Sequence, residues 1–178
     1  MNLSETTAET LQVGGDQLEV RMSSDESDGA LFAYDVNLAA GGGPPHLHRH
    51  EAAEIFKVEQ GELTFYLADE QGEVARRTAG PGEVVAIPGN REHTVRNEAA
   101  AAARAFAVLS PGDRMEHFAR AAAALEAEAT PERVASLAAD NGIEITRPLP
   151  HRPSSSSPRL PSRKARSEGE WTNRSARS

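Results

Sequence analysis

Between Gly42 and Gly61 the chain reads GGPPHLHRHEAAEIFKVEQG, and three of its six histidines, His46, His48 and His50, stand there at alternate positions, followed by Glu54. Side chains two apart on an extended segment share a face, so His48 and His50 can point together at a single ion while Leu47 and Arg49 point away. Any one of these histidines alone reads as a solvated loop residue, but an alternating trio followed by a carboxylate is metal-ligand spacing. Glu54 adds a constraint on the fold, because it shares parity with Phe56 and Val58, which should face a core. A charge on an inward face is costly unless something compensates it, for example a metal. No cysteine is present. That excludes disulfides, thiolate sites and cysteine nucleophiles, so nitrogen and oxygen must hold any ion.

Strand signals surround this stretch. Gly14, Gly15 and Asp16 mark a turn after a polar start, and Leu18 to Met22 alternates as a short strand. Ala30 to Leu38 reads as a longer strand, and the run Gly41 to Pro45 breaks regular structure just before the histidines. Glu54 to Val58 and Glu62 to Leu67 flank a tight turn at Gln60 and Gly61, the pattern of an antiparallel hairpin. Val74 to Thr78 continues the meander, Val84 to Ile87 is a short apolar strand between two turns, and His93 follows with Val95 and Asn97 on its face. Arg104 to Leu109 reads as a last strand. Helical periodicity then takes over: Asp113 and Glu116 suggest a capping box, with Met115, Phe118, Ala122 and Leu125 at helical spacing. Thr130 and Pro131 open a second helix with Val134, Leu137 and Ala138 inward, closed by Asn141 and Gly142. Strands first and helices last predict a β domain with a small helical appendage.

The 178 residues, 38% of them hydrophobic, suit one domain with tails. Four segments are expected: an N-terminal extension over 1–16, a β-barrel over 17–110, helices over 111–147, and a disordered basic tail rich in Pro, Ser and Arg over 148–178. Net charge is −8. From Arg147 onward eight Lys/Arg face two Glu, a balance of +6, which leaves 11 basic against 25 acidic residues, −14, in residues 1–146. So acidic a surface argues against nucleic acid as a ligand of the domain, since grip on phosphate backbones rests on Lys and Arg. There is no basic-then-apolar leader and no run of eighteen apolar residues, so no membrane partner is expected and the location expected is cytoplasmic. Edge strands of a small β fold need covering, and pairing through the N-terminal strand or the helices would give a homodimer.

With the strands placed, two spacings can be compared with a known pattern. Gly42, five residues, His48, one residue, His50, three residues, Glu54, six residues, Gly61 resembles the first motif of the cupin superfamily at every fixed position. Gly82, Pro88, Asn90, His93 and Asn97 resemble the second motif, with Asn90 standing where the family has glycine. Asparagine is the non-glycine residue that best tolerates a left-handed backbone, so the turn can survive the change. The motifs span 42 to 97, about a third of the chain. The resemblance implies an all-β fold, a cupin-type double-stranded β-barrel or jelly roll. It also implies a metal centre with His48, His50, Glu54 and His93 as ligands and one or two positions left open. His46 is left as a residue behind a ligand, a mouth-lining residue or a plain loop histidine in solvent.

Iron, nickel or manganese is expected, and zinc or copper also suits three imidazoles and a carboxylate. The single-domain size and trailing helices are most similar to small quercetin dioxygenase-like cupins. That resemblance implies a metal-dependent dioxygenase of a small enol or flavonol-like substrate, with Glu54 as ligand or, when displaced, as general base. Phe32, Tyr34, Phe56, Phe65 and Ile87 are candidates for an apolar pocket lining as well as for ordinary core. Two other classes stay open: a non-redox isomerase or lyase of a small acid or sugar, and a non-enzymatic small-molecule binding module.

Overall fold

The computed structural model describes residues 9–125 and 128–149. Eleven strands and two helices are found among them, arranged as two antiparallel sheets that face each other. The strands are β1 (Thr10–Val13), β2 (Asp16–Met22), β3 (Phe32–Leu38), β4 (His46–Arg49), β5 (Ala53–Gln60), β6 (Leu63–Ala68), β7 (Val74–Ala79), β8 (Val84–Ile87), β9 (His93–Arg96), β10 (Ala103–Ser110) and β11 (Glu144–Pro148). The helices are α1 (Asp113–Leu125) and α2 (Pro131–Asp140). One sheet runs β1-β2-β3-β10-β5-β8 and the other β11-β4-β9-β6-β7. The all-β jelly-roll expectation is met, as two open sheets rather than a closed cylinder.

Period-two alternation builds the interior. On β5 the inward set is Glu54, Phe56 and Val58, and on β10 it is Ala103, Ala105, Ala107 and Leu109, all buried. The hairpin expected across Gln60 and Gly61 does not form. β5 pairs with β10 and β8, while β6 pairs with β9 and β7, so the chain crosses from one sheet to the other at Gly61. With the strands in opposite sheets, Phe56 and Phe65 meet across the core with ring centroids 5.7 Å apart. Gly61 makes the corner with φ 71°, where a Cβ would come within 2.9 Å of the Cβ of Ala103.

Two segment assignments and one helix cap differ from the sequence reading. Residues 10–13, assigned to the N-terminal extension, form an edge strand on β2. Residues 144–148, assigned to the helical appendage and the start of the tail, form β11 against β4. The Asp113–Glu116 capping box is also replaced. The Glu116 carboxylate instead accepts from Ser24 N at 2.5 Å and Ser23 Oγ at 2.8 Å and pairs with Arg120 at 2.7 Å, tying α1 to the turn after β2. The second helix starts as expected, with Thr130 Oγ1 accepting from Arg133 N at 3.3 Å. The rest of the basic tail, from residue 150, lies outside the described residues. Among those described, no helix is long and apolar enough to cross a membrane.

Candidate metal centre

The four residues of the two motifs come from both sheets. His48 lies on β4 directly opposite His93 on β9, and His50 follows the end of β4. Glu54 reaches across from β5, where its cross-strand neighbours are Leu109 and Ile87. Ligand atoms of His48, His50 and His93 all lie within 4.8 Å of one another. Glu54 Oε1 is 3.2 Å from His50 Nε2, and Glu54 Oε2 is 3.3 Å from His93 Nε2. The site thus exists only where the two sheets meet.

Backbone contacts between the motifs fix this approach. Asn90 has φ 60°, the left-handed value anticipated for it, and its N–H donates to His50 O at 2.6 Å. Gly89 beside it lies so close to the first motif that a Cβ would sit 2.1 Å from Glu51 O. Asn97 is structural: its amide nitrogen lies 2.9 Å from Leu38 O and 2.8 Å from Ala101 O, and its oxygen accepts from Ala99 N at 3.0 Å. Its backbone also exchanges bonds with Gly41 and Gly42, so the glycine loop before the histidines is fastened to the strand that carries His93.

Hydrogen bonding orients the rings. His93 Nδ1 donates to Arg91 O at 2.7 Å, which leaves the Nε2 lone pair facing the site. His50 Nδ1, His50 Nε2 and His93 Nε2 are buried without a hydrogen-bond partner among the described residues. Buried polar atoms left unpaired are costly in a native fold, and imidazole nitrogens turned toward a carboxylate are the donor set a divalent cation requires. The residues therefore fit a metal ion.

The charges of the site act on one another. Burial works against the charge of Glu54, but the imidazoles of His50 and His93 outweigh it and hold the carboxyl well below the usual range. Burial, reinforced by nearby His93, pushes His48 down to about 4, so its ring is neutral and free to coordinate. Burial also opposes protonation of His93, but Glu54 against it turns the net shift upward. Tyr34 is pushed up by burial and by the Glu54 charge, so its phenol stays protonated beside the site.

One side of the centre opens on a cavity of about 650 Å³ between the sheets. Phe32, Tyr34 and Phe56 line it, whereas Phe65 and Ile87 do not and belong to the core. His46 is exposed and lies at the cavity's rim, apart from the three clustered histidines. Among the described residues, no Lys or Arg lines this space. The sequence reading gave α1 and α2 as a small helical appendage, yet Met115, Phe118, Ala122 and Val134 form part of the wall. It also missed β11, whose Ile145 pairs with His48. The alternation of Ile143, Ile145 and Arg147 after Gly142 was the available signal.

Residues 34–109 match the family model described as cupin domain. The two motifs and the paired sheets agree with this match, so residues 34–109 are similar to a cupin domain. Among solved structures, a point mutant of the oxalate decarboxylase OxdC of Bacillus subtilis aligns with TM-score 0.51 and 19% identity over 60% of this chain and 28% of its own. The chain thus spans less than a third of that enzyme. The polyketide cyclase RemF of Streptomyces resistomycificus aligns with TM-score 0.50 and 18% identity over 62% of this chain and 79% of its own. At these identities the likeness is one of fold. No curated protein sequence matches the chain.

Proposed function

We propose that the protein is a metal-dependent cupin enzyme, a dioxygenase acting on a small organic molecule with an enol or flavonol-like hydroxyl. The observation that carries this reading is the meeting of three imidazoles and a carboxylate beside a largely apolar cavity that no Lys or Arg lines among the described residues. His48, His50, His93 and Glu54 would hold the ion, with iron, nickel or manganese the first choices and zinc or copper also suited. A divalent ion there supplies a Lewis acid for an enolate oxygen and a template for O2. Both atoms of O2 enter the product, so no separate reductant is required.

The chain's own groups have distinct parts in this reading. Glu54, held ionised, would serve either as a ligand to the ion or as the general base for the proton of the substrate hydroxyl. Tyr34, neutral and facing the cavity, can donate a hydrogen bond to a substrate oxygen. Phe32 and Phe56 offer flat apolar contact and exclude water. A non-redox isomerase or lyase of a small acid or sugar would favour cations in its lining to hold an acidic substrate, and among the described residues no Lys or Arg lines this cavity.

Two measurements test the proposal. Protein purified without a histidine tag should carry about one ion per chain, and His48→Ala should lose it. O2 uptake with flavonols, β-diketones and thiols should follow reloading with iron, nickel or manganese. Silence across that panel, together with anaerobic turnover of an acid or a sugar, would replace the dioxygenase by the isomerase or lyase.

A further inference from the structure

The cavity has two unlike linings. One is polar: His48, Glu54 and His93 line it, and His93 Nε2 is unpartnered in a residue only 1% exposed. The other is apolar and comes from the segment after the barrel: Met115, Phe118, Ala119 and Ala122 of α1, and Val134 and Ala138 of α2. Small residues on this face leave room for a ligand. The Glu116 carboxylate, bonded to Ser23, Ser24 and Arg120, holds α1 in place. A wall so anchored, apolar and uncharged, has the character of a binding surface for a hydrophobic body rather than for a second polar group.

We infer that α1 and α2 form the specificity wall of the site, and that the ligand is an amphiphile whose oxygen-bearing head meets the histidine lining while an uncharged aromatic or aliphatic body lies against these helices. This inference rests on the metal-centre reading for the head only. The volume of about 650 Å³ suits a body well beyond a single ring. Ala122 and Val134 set its depth: both line the cavity and neither belongs to the buried core cluster.

Maltol and 3-hydroxyflavone test the wall, since they share a hydroxypyranone head and differ in apolar body. Calorimetric titration of the full chain loaded with zinc, which binds without turnover, should show 3-hydroxyflavone binding about 30-fold more tightly than maltol, the gain expected from burying the extra rings. Ala122→Leu, which fills the wall from α1, should cut that ratio to about threefold or less. Val134→Phe does the same from α2 and serves if the first variant fails to fold, with zinc content as the check that the barrel is intact. A ratio near one in the wild type, or one unchanged in both variants, overturns the inference. Flavone, which lacks the hydroxyl, separates the two readings. If no zinc is taken up but flavone binds and is lost in the filled variants, the metal-centre reading fails and the wall stands. If zinc binds and flavone affinity ignores both variants, the wall fails and the centre stands.

Discussion

Glu54 and Glu116 are both buried carboxylates, 5% and 4% exposed, and both are held below the ordinary glutamate range, yet they are built differently. Around Glu116 the bonding is closed: two serines donate to it, and Arg120 pairs with it at 2.7 Å and in turn with Glu9 at 2.7 Å. Around Glu54 the bonding is open. Its neighbours are imidazole nitrogens without hydrogen-bond partners, and a cavity lies beside them. A buried charge that the protein satisfies by itself serves the fold, whereas one facing donors left idle serves something that comes from outside.

The largest effect that could break this contrast is loss of metal. His93→Ala should weaken metal binding by about a thousandfold, beyond the 10- to 100-fold typical of residues behind a ligand. Circular dichroism should meanwhile retain the β signal. If metal affinity in His93→Ala matches the wild type, Glu54 is as structural as Glu116.

Next comes stability. Glu116→Ala strands Ser24 N and Arg120 and should cost about 2 kcal/mol in urea unfolding, reduced from the fully buried case because Arg120 is partly exposed. Metal per folded chain should not change.

The pH dependence sharpens the same point. Burial opposes the Glu116 charge, but the bonds from Ser23, Ser24 and Arg120 prevail and lower its pKa. A carboxyl depressed in the folded state stabilises above its unfolded pKa, ordinarily 4.5, and loses that contribution as pH falls through the folded value. The stability difference between wild type and Glu116→Gln should therefore be full at neutral pH and shrink below about 4.5. A difference that grows on acidification would contradict the assignment.

The smallest effect belongs to the outer face of the first sheet, where Asp35 accepts from Arg21 and Arg104 at 2.8 Å each. Both arginines are well exposed, so Arg21→Ala should cost no more than about 1 kcal/mol, fading with added salt.

Much of the site was legible because ligand geometry is local. Alternation in the first motif brings His48 of β4 and His50, just past its end, together, parity on β5 turns Glu54 inward, and the turn with Asn90 at φ 60° precedes His93. The caps at Thr130 and Asn141 were legible for the same reason, since they involve residues within a turn of each other. The strand partners were not. Glu54–Val58 and Glu62–Leu67 read as a hairpin because a tight turn separates them, but nothing local says that two apolar faces should stack across a core instead of lying side by side.

By itself, then, the sequence determined which residues face inward and which of them carry ligand atoms, because side-chain direction follows from the periodicity of the backbone. Only the tertiary structure decided what those faces meet. It crossed the chain between sheets at Gly61, brought β11 against His48, and made two amphipathic helices part of the cavity wall, through contacts between residues up to about a hundred positions apart. Such contacts depend on the whole arrangement of sheets and helices, which no single stretch of the chain encodes.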